Sequence, residues 1–253
     1  MVNNAEVFTP LAADYARYRP GYPTELLDKI AAVCGMQPTW RIADIGSGTG
    51  NLARLFLQAG YQVIGVEPNR EMREAAERQL ASYPAFRSLD GTAENIPLAN
   101  QSIDLITVGQ AIHWFGIEQA RNEFLRILRP GGWVAVTWND GASQDTAFAQ
   151  ALGALKHTYA QMRTVACDVP LSTGVESLFG AEIPRHTSFP HTQLFDLSGF
   201  LGRIRSSGVL PLPGAPGCDE ITERLTDLFH HHQENGQVEF HYTAQLYFGQ
   251  LKA

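Results

Sequence analysis

Residues 41–50 read RIADIGSGTG, a short apolar run followed directly by a glycine-rich turn. The run is typical of a buried β-strand, and the residues after Gly50 repeat with helical spacing. Alternating glycines at Gly46, Gly48 and Gly50 permit a tight turn and let a ligand lie against bare backbone. The stretch therefore predicts a strand, a ligand-binding turn and a helix, in that order.

From Arg41 onward, β-rich runs alternate with longer stretches of helical periodicity, which is the pattern of βαβ units on a parallel sheet. The predicted strands are 41–46, 61–68, 85–90, 102–109 and 131–138, and the predicted helices are 23–33, 51–59, 70–80 and 117–128. These strands are almost continuously apolar, which indicates that helices cover both faces of the sheet.

The pattern is weaker after Trp138. We expect one helix over 146–163 and then a loop-like section with two prolines and two glycines, an insertion placed to cover a site. The remaining segments predict a strand over 186–195, a helix over 197–207, a turn-rich connector over 211–220 and a closing strand over 237–251.

Composition disfavours one large class of function. The chain of 253 residues has 19 Lys and Arg against 26 Asp and Glu, so its formal charge is −7. It lacks the basic excess that binds nucleic acid, and a small-molecule partner is expected instead. The amino-terminal segment is neither basic nor apolar, and no apolar run is long enough to span a membrane, so a cytoplasmic location is predicted.

Cysteine and histidine spacing predicts no metal site. The three cysteines, Cys34, Cys167 and Cys218, are far apart in sequence, so we expect free thiols in a reducing compartment. Residues 230–232 are consecutive histidines, but neighbouring helix residues point about 100° apart and cannot chelate one ion together.

The glycine turn does not fit a dinucleotide site. Such a site requires G-x-G-x-x-G, and Asn51 occupies the position of the third glycine. Asp44, just before the turn, would repel a pyrophosphate and favour a cationic ligand. Glu67 closes the second strand at the same sheet edge, where its carboxylate can accept hydrogen bonds from both hydroxyls of a ribose. The alternative for Glu67 is an ordinary surface acid.

Four segments in order, 44–50, 65–72, 90–115 and 125–136, resemble the class I S-adenosylmethionine (SAM)-dependent methyltransferases. The likeness is to the small-molecule subgroup with UbiE-like and trans-aconitate-methyltransferase-like cores, and Ala13–Pro23 resembles the leading segment of that subgroup. It implies a Rossmann-like α/β fold: a mostly parallel seven-stranded sheet, an antiparallel closing strand, helices on both faces and a helical insertion after the fifth strand. It also implies SAM as cofactor and S-adenosylhomocysteine as product.

The resemblance implies a set of cofactor-binding residues: Tyr15, Arg19, Asp44, Gly46, Ser47, Gly48, Gly50, Glu67, Pro68, Asn69, Met72, Thr92, Ala93, Glu94 and Gln110. Glu67 would hold the ribose, and Pro68, Asn69 and Met72 would lie beside the adenine, although Met72 also fits a core position. Relatives often have Asp where this chain has Thr92, so the adenine contact would come from its hydroxyl or from the backbone nearby.

The acceptor side is less defined. By the same resemblance, His113 and Trp114 would form the wall where the methyl group moves, with His113 as the leading general base and Tyr15 as a weaker candidate. The expected substrate residues are His113, Trp114, Trp138, Arg203 and Tyr242. The alternatives are a packing histidine, core aromatics and, for the segment with Tyr15 and Arg19, a surface helix.

The function that the sequence predicts is methyl transfer to a small-molecule acceptor of unspecified atom and identity, by an enzyme of unspecified oligomeric state. The alternative is a SAM-binding protein on the same fold that does not catalyse. A nucleotide-dependent oxidoreductase is disfavoured by Asn51 and Asp44. We expect one domain: an amino-terminal lid and helix (1–35), a SAM-binding core (36–140), an insertion over the acceptor site (141–185) and closing strands and helices (186–253).

Overall fold

The computed structural model describes residues 12–141, 146–159, 171–207 and 215–252. The chain divides into two compact units. The larger unit comprises residues 21–139, 167–189 and 244–253, and the smaller unit comprises residues 1–20, 140–166 and 190–243. The expectation of one domain with four segments stays a prediction.

A seven-stranded sheet forms the centre of the fold. Its strands are β1 (Arg41–Ile45), β2 (Gln62–Val66), β3 (Phe86–Leu89), β4 (Ile103–Gly109), β5 (Leu128–Gly141), β6 (Arg185–Phe195) and β7 (Val238–Gly249). They lie in the order β3-β2-β1-β4-β5-β7-β6, and β1 pairs in parallel with both β2 and β4. Six strands are parallel and the closing strand is antiparallel, so the predicted Rossmann-like sheet is confirmed.

The helices follow the predicted alternation with the strands. They are α1 (Ala12–Tyr18), α2 (Thr24–Cys34), α3 (Asn51–Gln58), α4 (Arg70–Gln79), α5 (Ile117–Ile127), α6 (Ala147–Thr158), α7 (Leu171–Phe179), α8 (Leu197–Arg205) and α9 (Cys218–His232). Of the helices within the described ranges, none has the length and apolar character needed to cross a membrane. The insertion after β5 is helical, as predicted, because α6 and α7 lie between β5 and β6.

The larger unit has an apolar core on each face of the sheet. Successive strand residues point to opposite faces, so Ala43 packs with Phe124 of α5, whereas its neighbour Ile42 packs with Phe56 of α3. All four side chains are fully buried. Helices therefore cover both faces, as the continuous apolar strands predict.

The smaller unit has a separate core that is rich in aromatic residues. Phe200 of α8 is fully buried and lies 5.8 Å from the ring of Phe148, 5.9 Å from Phe229 and 5.9 Å from Phe240. Tilted and offset rings at these distances are favourable beyond the area that they bury.

Two helices differ from the sequence expectation. The section predicted as loop-like contains α7, and the predicted turn-rich connector ends in the first residues of α9. Gly174 was interpreted as a helix breaker. In the structure it lies within α7, and a Cβ on it would be 3.2 Å from Ile112, so glycine allows α7 to pack closely against the turn after β4. Of the predicted helix over 146–163, residues 160–163 lie outside the described ranges.

Candidate functional site: the carboxyl edge of the sheet

The glycine loop, residues 46–50, joins β1 to α3. Gly46 has φ of +67° and Gly50 has φ of +83°, which is the left-handed region that favours glycine. A Cβ on Gly46 would lie 2.6 Å from the Cβ of Ala111, and one on Gly50 would lie 2.6 Å from Leu80. At both positions, therefore, a side chain would strain the backbone and collide with a neighbour.

The contact at Gly46 brings the segment after β4 against the glycine loop. Phe115 lies beside Ala111 at the same point, 3.3 Å from the position of a Gly46 Cβ. Gln110, directly after β4, has φ of +58°, and its N–H donates to the carbonyl of Thr137 at 2.9 Å. A non-glycine residue in this conformation is uncommon and is often found at functional sites.

Glu67 is buried at the end of β2. Its carboxylate accepts two backbone hydrogen bonds, one from Gly48 at 2.9 Å and one from Asn69 at 3.0 Å. Burial raises the pKa of Glu67, and these two hydrogen bonds oppose that shift. Since only 9% of the residue is exposed, it is not the ordinary surface acid of the alternative interpretation.

Asp44 is a second buried acid, on β1 itself. Thr107 of β4 donates to its Oδ1 at 2.9 Å, and Oδ2 has no hydrogen-bond partner among the described residues. Burial raises the pKa of Asp44 to about 7, the Thr107 hydroxyl and the backbone of Ala53 lower it, and the negative charge of Glu67 raises it further. The edge therefore holds two acidic groups close enough to affect each other's ionisation.

The start of α4 lies directly against the glycine loop. Asn69 caps the helix by accepting from the N–H of Met72 at 2.9 Å, and Ser47 lies over Gly65 of β2. The terminal methyl of Met72 is 3.6 Å from the position of a Gly48 Cβ. Met72 is 5% exposed, which fits both a residue beside the adenine and a core residue, so its role stays a prediction.

The loop after β3 contains the predicted adenine contacts. Thr92 is exposed and Ala93 is buried, and a carboxylate oxygen of Glu94 accepts from the N–H of Gly116 at 2.7 Å. This hydrogen bond joins the loop to the residue that precedes α5. Pro68 is exposed beside Glu67.

His113 and Trp114 lie in a short 3₁₀ turn that follows Ala111, and their rings are 4.7 Å apart. Both are partly buried. Trp138 is almost fully buried and stacks on Tyr247 with 5.2 Å between ring centroids, so its described contact is a packing contact. An acceptor role for these three residues stays a prediction.

The other predicted site residues belong to the smaller unit. Arg19 donates to the carbonyl of Ser206 at 3.0 and 3.2 Å, and its guanidinium lies 4.7 Å from the ring centre of Tyr15. Arg203 donates to the hydroxyl of the buried Tyr242 at 2.9 Å. Their roles toward cofactor and substrate stay predictions.

Comparisons with known proteins agree on one family. Residues 43–136 match the family model described as a methyltransferase domain. An uncharacterized methyltransferase of Mycobacterium tuberculosis is 38% identical over 125 residues, 49% of this chain and 49% of that one. The chain thus spans about half the length of the curated relatives it matches. Residues 43–136 of this chain thus match a methyltransferase domain, and these comparisons support the resemblance to class I SAM-dependent methyltransferases.

Solved structures with the same fold cover most of this chain. A candidate type II methyltransferase from Anaeromyxobacter dehalogenans matches with a TM-score of 0.71 and 20% identity, over 93% of this chain and 100% of that one. A SAM-dependent methyltransferase from Thiobacillus denitrificans, solved with S-adenosylhomocysteine, matches with a TM-score of 0.51 and 14% identity, over 97% and 98% of the two chains.

The residues at the edge of the methyltransferase domain fit an adenosyl sulfonium ligand. Glycines at positions 46 and 50 let the loop pack closely against Ala111 and Leu80, and the two buried acids beside it favour a positively charged ligand. Besides Asp44 Oδ2, the hydroxyl of the buried Thr49 has no hydrogen-bond partner among the described residues. Buried polar atoms are normally satisfied, so a ligand or ordered water is expected to complete these two.

Two residues beside this edge were missed by sequence reasoning. Thr107 donates to Asp44, and Arg73 of α4 donates to the carbonyl of Glu67 at 2.7 Å. A hydroxyl within the apolar run of β4 was the available signal for Thr107. For Arg73 the signal was weak, because an arginine one turn into a surface helix is ordinary.

Proposed function

We propose that the chain is a methyltransferase that moves a methyl group from SAM to a small-molecule acceptor, with S-adenosylhomocysteine as the second product. The observation that carries the proposal is the pair of buried acids, Asp44 and Glu67, beside a glycine loop that is partly exposed at residues 46–48. A pyrophosphate would be repelled by this pair, whereas a sulfonium would be attracted.

Each residue of the edge has a part in holding the adenosyl group. Glu67, already fixed by two backbone donors, would accept from the ribose hydroxyls. Met72 would lie against the adenine, and Thr92 or the backbone beside it would contact the adenine amino group. Asp44 would offer Oδ2 toward the positive end of the ligand.

The bound cofactor supplies an electrophilic methyl carbon on a positively charged sulfur. The protein then has to align the acceptor atom with that carbon and exclude water, and positioning of this kind supplies up to roughly 7 to 11 kcal/mol of barrier reduction. A hydroxyl, amine or carbon acid must also lose a proton, which His113 would take; a carboxylate acceptor needs no base.

A small-molecule acceptor is supported by the formal charge of −7, which disfavours a nucleic-acid substrate. Trp114, Trp138, Arg203 and Tyr242 are the proposed acceptor residues, and Tyr15 and Arg19 are proposed to hold the SAM carboxylate. The cytoplasmic location stays a prediction.

Calorimetric titration of the protein with SAM, S-adenosylhomocysteine and NAD tests the cofactor assignment. We expect saturable binding of the two adenosyl ligands, none of NAD, and a loss of binding in Glu67→Gln that the exposed control Glu77→Gln does not show. A screen for acceptor-dependent formation of S-adenosylhomocysteine then tests catalysis. Binding without turnover on any acceptor would favour a non-catalytic SAM-binding protein.

A further inference from the structure

Arg73 lies on α4, one turn after the helix begins, and its guanidinium is mostly buried, with 16% of the side chain exposed. One nitrogen, Nη1, shares its two N–H groups among three acceptors: the carbonyl of Glu67 at 2.7 Å, the carbonyl of Pro68 at 2.8 Å and a carboxylate oxygen of Asp90 at 3.0 Å. Asp90 directly follows β3. The side chain therefore joins the β2–α4 turn to the end of the neighbouring strand.

These contacts complete the restraint on Glu67. The side chain of Glu67 is held by the backbone of Gly48 and Asn69, and its main-chain N–H donates to Leu89 of β3 at 3.1 Å. Arg73 holds the remaining main-chain group, the carbonyl. Loss of Arg73 would free the turn that sets where the carboxylate lies.

Arg73 also supplies positive charge beside a buried acid. Burial raises the pKa of Glu67, and the charge of Arg73 lowers it again. Within the described ranges, the other charged groups that act on Glu67 are acids: Asp90 after β3, which raises the pKa of Glu67, and Asp44 on β1. An ionised carboxylate accepts at both oxygens, whereas protonation turns one of them into a donor and weakens the site as an acceptor of two hydroxyls.

We propose that Arg73 is a positioning residue of the adenosyl site, which fixes the main chain of Glu67 and keeps its carboxylate negatively charged for the ribose hydroxyls. The inference rests on the proposed function, since it assigns Arg73 to the cofactor site. It gives Arg73 an effect on binding that depends on pH, which a purely structural helix contact would not have.

The first experiment needs no cofactor. The side-chain carboxyl of Glu67 is titrated by ¹³C NMR in the ligand-free protein, with Glu67→Gln identifying its signal. We expect the pKa of Glu67 to rise in Arg73→Met and to stay near the native value in Arg73→Lys. The control is Arg70→Met, which removes an exposed arginine of the same helix that pairs with Glu74. If Arg73→Met does not fold, Arg73→Gln, which removes the charge and keeps a donor, is measured instead.

The second experiment measures SAM binding by calorimetry between pH 5.5 and 8.5. Arg73→Met is expected to weaken binding at least tenfold at pH 6 and less at pH 8, and Arg73→Lys is expected to restore the native pH profile. An unchanged Glu67 titration, together with equal weakening at every pH, would overturn the proposal. If the native protein itself does not bind SAM, the proposed function fails, and the NMR titration still decides the role of Arg73.

Discussion

The two units of the chain bury different kinds of side chain. In the larger unit the buried polar residues include Asp44, Thr49, Glu67, Asn69 and Thr107, all at or beside the carboxyl edge of the sheet. In the described part of the smaller unit, the fully buried polar residue is Ser206, whose hydroxyl donates to the carbonyl of Arg203 at 2.8 Å. Its core is otherwise apolar and largely aromatic.

This difference indicates that the buried polar groups of the larger unit serve ligand binding and the buried rings of the smaller unit serve packing. An unsatisfied buried polar atom costs roughly 1 to 3 kcal/mol, so a fold keeps such atoms only where something else compensates. Among the described residues, one such atom is on the partly buried Gln193 of β6 in the smaller unit, outside its aromatic core, and two, on Asp44 and Thr49, lie at the glycine loop of the larger unit. We infer that ligand binding compensates there, whereas the aromatic core of the smaller unit serves stability.

The largest expected effect is on turnover. His113 lies in the turn after β4, at the polar edge of the larger unit. His113→Ala is expected to lower kcat by roughly 10² to 10⁴-fold for an acceptor that must lose a proton, with the Kd for SAM nearly unchanged. Steady-state kinetics with the acceptor found in the screen measure this, and His157→Ala, an exposed histidine of the smaller unit, is the control. Unchanged turnover would remove His113 from the catalytic residues.

Asp44 should give the larger unit a pH-dependent stability. Its pKa is about 7 in the folded protein against an ordinary value of 3.8, so the folded state binds more protons between these values. The contribution of Asp44 to stability is therefore present below about pH 4 and is lost as the pH rises through about 7, by on the order of a few kcal/mol.

Urea unfolding of the ligand-free protein from pH 5 to 8 measures this slope. Asp44→Asn is expected to flatten it because the titrating group is gone, while Asp28→Asn, an exposed acid of α2, keeps it. If the native protein and Asp44→Asn had the same slope, Asp44 would not be the group that makes the stability of the larger unit depend on pH.

How far the sequence predicts this edge depends on how local its signals are. Gly46 and Glu67 are set by turns and strand ends close in sequence, so the pattern locates them. Arg73 and Thr107 act through partners on other elements, which only the strand order brings near. The smaller unit joins three separate stretches of chain, which local sequence patterns do not connect. Helix α7 was not predicted because Gly174, which allows a close contact with Ile112, was interpreted as a helix breaker.

A pair of glycines separates the effect of close packing at the loop from the effect of backbone strain alone. Gly46 and Gly60 both have positive φ, but a Cβ on Gly60 would meet nothing within 4 Å, whereas one on Gly46 would collide with Ala111. We expect Gly60→Ala to lower the unfolding free energy by about 1 kcal/mol, from the left-handed conformation alone. Gly46→Ala should cost about 2 to 4 kcal/mol, because overpacking adds to that strain, and should also abolish SAM binding. Equal effects of the two substitutions in urea unfolding and calorimetry would contradict this.

The smallest expected effect concerns the aromatic core of the smaller unit. Phe200 is fully buried among the rings of Phe148, Phe229 and Phe240, so Phe200→Leu loses ring contacts and leaves a small cavity. It should lower the unfolding free energy by about 1 to 2 kcal/mol. If this core serves packing alone, the Kd for SAM stays within twofold of the native value, since no atom of the glycine loop has changed. A larger change in Kd, measured on protein whose fold is intact by circular dichroism, would show that the aromatic core also shapes the cofactor site. Binding and packing would then not be divided between the two units.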